Sequence, residues 1–227
     1  MIEIKYPRPD ARDLYIKDCN EKALQRAMLK QTIDGTLTTL EDGTEIEWLD
    51  YELPVEFSSN PRKRCVDLIG RDKNGRYVLC ELKFGCNCKD SPFDAEKEAL
   101  VYLGEICFHW KEMDNQKLHR PYIYIKDPSK KCKLPDFSWK EFVNSAPRVI
   151  IMADKNYWEN WIERARRQTS GKGRGKSDKK RISIKDPQIE CYSIDIDLDF
   201  FEKQLKKSRE GQYTPELSTN KWKKVEL

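Results

Sequence analysis

Between Arg64 and Lys83 the chain sets an acid and a base into otherwise apolar strands, which is an uncommon thing for a strand pair to carry. Cys65 to Arg71 and Arg76 to Phe84 both read as strands, with Asp72-Lys73-Asn74-Gly75 between them as a turn by composition. Glu81 and Lys83 lie two apart and so project from one face of their strand. Asp67 sits on the neighbouring strand, and register decides whether it joins them. With a two-residue loop, Asn74-Gly75, Asp67 faces Leu82 and points away from Glu81. With a three-residue loop, Lys73 to Gly75, Asp72 pairs with Arg76 and Asp67 stands opposite Glu81. Asp at the first turn position and Gly as a left-handed fourth residue favour the second arrangement. Opposed Cβ atoms are then roughly 4.5–5.5 Å apart, near enough to share a cation.

Two clustered carboxylates either bind a hard cation, share a proton or pair with a base. Mg²⁺ takes one or two carboxylates together with water and substrate phosphates. A nearby Lys can orient or deprotonate water, or stabilise charge on a phosphate. The plainer alternative is a salt-bridged trio on a solvent-facing sheet, in a chain that is 36% charged.

Helical spacing covers Asn20 to Gln31 (Leu24, Ala27, Met28), Phe93 to about Trp110, Ser138 to Asn144, Tyr157 to Arg167 and Phe200 to Ser208. Further strands are expected over Glu45 to Phe57, Tyr122 to Ile125, Val149 to Ala153 and Glu190 to Leu198. Alternation of this kind predicts an α/β fold with a central mixed β-sheet flanked by helices. One domain over 1–227 is expected. Its core spans about 20–163, followed by a basic flexible loop at 168–181, a strand and helix at 189–208 and a polar tail at 209–227.

The Asp67, turn, Glu81-Leu82-Lys83 pattern resembles the PD-(D/E)XK nuclease superfamily, most closely from Arg64 to Phe84. The resemblance implies a restriction-endonuclease-like fold and a divalent-metal-dependent nuclease, with Mg²⁺ (or Mn²⁺) on Asp67, Glu81 and the Leu82 carbonyl, and Lys83 serving the water. Such folds often carry an acid on the first helix. Glu21 fits, on the stripe of Leu24 and Met28, and Glu56 is a rival ligand. Many members have a Gln four residues before a Tyr on the following helix. Here Glu98 precedes Tyr102, a carboxylate where the family has an amide. Many members also pair, which leaves a homodimer open.

A second feature points to a polyanion. From Arg164 to Arg181 there are nine bases, including Arg164, Arg166, Arg167, Lys172, Arg174 and Lys176, against the single acid Asp178. The segment is near +8, although the whole chain is only +4. With Gly171, Gly173 and Gly175 it suits a phosphate backbone, probed without base reading, and DNA is the expected partner. Trp158 and Trp161 just upstream read as core by their helical stripe.

Mean hydropathy of −0.85 and the lack of a long apolar run exclude a membrane span. The eight cysteines, at 19, 65, 80, 86, 88, 107, 132 and 191, read as reduced thiols of a cytoplasmic protein. Cys86 and Cys88, with His109, His119 and Cys132, show no recognised zinc spacing. Two other readings stay open: a non-catalytic nucleic-acid-binding or interaction domain on a nuclease-like fold, and a zinc-stabilised regulatory module.

Overall fold

The computed structural model describes residues 21–55, 65–85, 87–119, 122–124, 131–170, 184–186, 188–209 and 216–227. The elements in chain order are α1 (Glu21–Ile33), β1 (Thr38–Leu40), β2 (Glu45–Pro54), β3 (Cys65–Asp72), β4 (Tyr77–Lys83), α2 (Pro92–Asn115), β5 (Tyr122–Tyr124), β6 (Lys131–Lys133), α3 (Trp139–Asn144), β7 (Arg148–Asp154), α4 (Lys155–Ser170), β8 (Ile189–Ile194), α5 (Leu198–Arg209) and β9 (Lys221–Lys224).

The strands do not form the expected open central sheet flanked by helices, so the restriction-endonuclease-like fold does not stand. Seven of them close into a barrel in the order β1-β2-β3-β4-β7-β8-β9, while β5 and β6 form a separate two-stranded sheet. The β4–β7 and β7–β8 pairs are parallel, and β1–β2, β2–β3, β3–β4 and β8–β9 are antiparallel. Closure comes from β9, which lies antiparallel to β8 and parallel to β1, so that neither β1 nor β8 is left as an edge. The segment Lys221–Lys224 reads as polar tail because Trp222 is its one large apolar side chain. Buried to 1% exposure, that ring seats the strand.

The β3–β4 hairpin has the three-residue loop that its turn residues favour. Arg71 pairs with Tyr77 and Leu68 with Cys80. The Asp72 carboxylate accepts the Asn74 and Arg76 N–H groups at 2.8 and 3.0 Å, Gly75 N–H donates to the Asp72 carbonyl, and Gly75 has φ +82°. A left-handed residue at that position costs a glycine little.

Along β4 the side chains alternate between two apolar clusters. Tyr77 and Leu79 join residues of α2, α3 and α4, including Tyr102, Trp139, Trp158 and Trp161. Val78, Cys80 and Leu82 join Leu24, Ala27 and Met28 of α1 and Phe201 of α5. Every residue of α1 from Ala23 to Leu29 is buried, Gln25 and Arg26 included, which forces those two polar side chains to find partners inside the protein. α2 starts at a capping box in which Ser91 and Asp94 satisfy each other's backbone amides. Cys65, Cys80, Cys88, Cys107, Cys132 and Cys191 are free thiols. Among the described residues no helix is long and apolar enough to cross a membrane.

Candidate active site

The hairpin brings its charged residues to one end of the barrel. Glu81 and Lys83 are 3% and 4% exposed, and the Lys83 ammonium donates to Glu81 Oε1 at 2.7 Å. From α2, Glu98 Oε2 takes a second bond from the same ammonium at 3.0 Å. Asp67 is half-buried on β3, one step past the last ladder pair. There its carboxylate replaces a backbone acceptor, and Oδ2 receives the Leu82 N–H at 2.8 Å. Amide and carbonyl of one strand residue point to the same side, so the Leu82 carbonyl shares the side of Asp67.

Glu21, the first residue of α1, completes the group by its field. Burial is the main cause of its rise, and the Asp67 charge adds to it; Lys83 opposes, and the carboxyl is pushed up to about 8. Burial likewise lifts Asp67 to about 6 against the pull of Lys83 and the Leu82 N–H. Glu81 is raised well above the usual range by burial and by Asp67, more than Lys83 offsets. Burial would discharge Lys83, but Glu81, Glu21, Asp67 and Glu98 outweigh it and hold the ammonium firmly protonated. The Tyr102 hydroxyl is raised too, by burial and then by Glu81 and Glu98. Four carboxylates thus face one lysine. The surplus negative charge must be held by protons or by a bound cation.

No family model, curated protein or solved structure matches this chain. The likeness to the PD-(D/E)XK pattern therefore rests on these residues and their arrangement, which brings Glu21, Asp67, Glu81, Lys83, Glu98 and Tyr102 together. Glu56 lies outside the described residues, as do Lys172, Arg174 and Lys176. Arg164, Arg166 and Arg167 are exposed on α4, while Trp158 and Trp161 are core, as their stripe predicts. The Arg164 guanidinium lies 4.7 Å from the Trp161 ring centroid, and Arg167 pairs with Glu163 at 2.7 Å.

For a metal the findings point two ways. Among the described residues no group of three or more His, Cys, Asp or Glu is disposed to hold one. Yet Glu81 Oε2 is buried with no hydrogen-bond partner among the described residues, beside the carboxylate of Asp67. An orphaned carboxylate oxygen in a low-dielectric site is costly, and a cation relieves it. Two carboxylates with a carbonyl and waters are an adequate donor set for Mg²⁺.

Several supporting residues escape a reading of the sequence. Gln25, 1% exposed, donates through Nε2 to the Asp67 carbonyl at 2.7 Å and accepts from Arg26 through Oε1. The Arg26 guanidinium lies over the Tyr51 ring, 3.6 Å from its centroid, and pairs with Glu52 at 2.8 Å. Glu52 has φ +44° and also pairs with Lys22. At the end of β7, Asp154 accepts the Gly85 N–H at 2.6 Å, fixing the chain two residues after Lys83. A buried polar run on a helix and a left-handed Glu leave no mark in hydropathy patterning; only the adjacency of Gln25 and Arg26 to the Leu24 stripe hints at them.

Proposed function

We propose that the chain is a divalent-metal-dependent nuclease that hydrolyses phosphodiester bonds, with DNA as substrate and a cytoplasmic setting that suits its free thiols. The observation that carries this reading is the cluster itself: a buried lysine shared by Glu81 and Glu98, beside Asp67 and an unpartnered Glu81 oxygen. Asp67, Glu81 and the Leu82 carbonyl would hold Mg²⁺ or Mn²⁺, which when bound supplies charge to polarise a phosphate and acidify a water. The chain's own part is positioning. Asp67 clamps the Leu82 backbone, Gln25 holds Asp67, and Glu98 and Glu81 fix the Lys83 ammonium between them. Lys83 enters this reading as the ammonium that Glu81 and Glu98 hold. It is a fixed positive charge suited to a phosphate oxygen and to the negative charge that grows there during displacement.

The test is incubation of wild type, Asp67→Ala and Lys83→Ala with a panel of single- and double-stranded DNA and RNA, with and without Mg²⁺ or Mn²⁺. Cleavage by wild type alone, and only with metal, is expected; normal cleavage by both variants would sink the assignment. A second reading, a non-catalytic nucleic-acid-binding module, is favoured by Glu98, whose ion pair occupies Lys83 where an amide would leave it freer. Retained binding with no cleavage by the wild type under any metal selects that reading.

A further inference from the structure

Beside α2, two ammonium groups share one aromatic ring. Lys97 Nζ lies 4.3 Å and Lys185 Nζ 4.8 Å from the centroid of Phe93. The two charges are therefore within about a Debye length of each other at physiological salt. Among the described residues neither has a carboxylate partner, in a chain with 39 acids. The nearest acid in sequence, Asp186, turns its carboxylate to the Gln188 N–H at 2.9 Å.

This pair is held by a buried support. Glu96, 3% exposed, accepts the backbone N–H groups of Lys185 and Asp186 through Oε1 at 2.8 and 2.7 Å, and the neighbouring Ile184 packs on the first apolar cluster. Charge-assisted bonds of this kind are among the stronger ones in proteins. They fix where Lys185 leaves the surface, while the Phe93 face attracts both cations. Like charges gathered at one ring repel each other, and an anion bound beside them offsets that cost.

We infer that Phe93, Lys97 and Lys185, pinned by Glu96, form a subsite for the phosphodiester backbone of a nucleic acid. That the anion is a polymer rests on the nuclease reading. Lys97 immediately precedes Glu98 on α2, so neighbouring positions of one helix carry the subsite and a carboxylate of the Lys83 cluster. A strand gripped there lies against the helix that also supplies Glu98 to the cluster. The ring adds a face on which a base can stack.

The experiment is fluorescence anisotropy with a labelled single-stranded DNA oligonucleotide in EDTA, over a series of salt concentrations. Lys97→Gln/Lys185→Gln removes both charges and leaves polar side chains, and circular dichroism confirms its fold. Loss of two phosphate contacts flattens the slope of log K against log salt by about 1.4 for a single strand. Phe93→Leu weakens binding without changing the slope. The same proteins are assayed for cleavage with Mn²⁺. A double variant with the wild-type slope overturns the subsite and leaves the nuclease reading untouched. A flattened slope with no cleavage by the wild type supports the subsite as a polyanion contact and overturns the nuclease reading. A wild type that binds no oligonucleotide overturns the subsite.

Discussion

Removing divalent cations should make the stability of this protein fall with rising pH, in the opposite sense to acid denaturation. Glu21 titrates at about 8 in the folded chain against 4.5 ordinarily, and Asp67 at about 6 against 3.8. At 1.36 kcal/mol per pH unit, these differences correspond to about 5 kcal/mol for Glu21 and about 3 kcal/mol for Asp67 as upper bounds. They do not add, because each carboxylate contributes to the other's rise. The folded state binds these protons more tightly than the unfolded chain. Its advantage is therefore complete below the ordinary carboxylate range and is lost as pH climbs through about 6 and then about 8. Urea unfolding in EDTA, repeated at successive pH values across that window, should show a loss of several kcal/mol. Mg²⁺ or Mn²⁺ in place of the protons should reverse much of it, and Glu21→Gln should abolish the upper part. A wild-type stability that is flat or rises from about pH 5 to about pH 8 in EDTA would refute the reasoning, as would Glu21→Gln with an unchanged profile.

Two further outcomes follow from named contacts. Gln25→Ala removes the donor to the Asp67 carbonyl and a partner of Arg26; it should cost about 1–3 kcal/mol in urea unfolding and weaken Mn²⁺ binding by about 10–100-fold, as loss of ligand support does elsewhere. Unchanged metal binding would reduce Gln25 to packing. Trp222→Ala should cost about 3–5 kcal/mol and, by loosening β9, expose the β1 and β8 edges to self-association that light scattering detects; a monomer destabilised by less than about 1 kcal/mol would mean that the ring does not hold the closure.

What could be read in advance was local. The Asp72 to Gly75 turn carries its own instructions in side-chain acceptors and a left-handed glycine, so the hairpin register and the meeting of Asp67 with Glu81 were legible from the residues. So was Glu21, because helical spacing puts it on the stripe that packs inward. The barrel was not. Its closure depends on β9, four residues with one large apolar side chain, and on β1, which spans only Thr38–Leu40. Neither segment has the length or alternation that marks a strand, and their pairing with each other joins partners far apart along the chain. The buried Gln25 and Arg26 were hidden for a related reason: polar residues on a helix read as its wet side until the fold supplies Asp67, Tyr51 and Glu52 around them.

That closure also sets an order of events. Asn220 donates to the Leu37 carbonyl across 183 positions, and the Lys224 N–H reaches Glu41 over the same span. Contacts so distant in sequence form late, since the loop entropy must be met before they return anything. During synthesis β1 to β8 emerge with two open edges and wait for Lys221 to Lys224. Until that strand pairs, the nascent sheet presents unpaired amides to any other chain, so this protein's most vulnerable interval should be the one before Trp222 is seated.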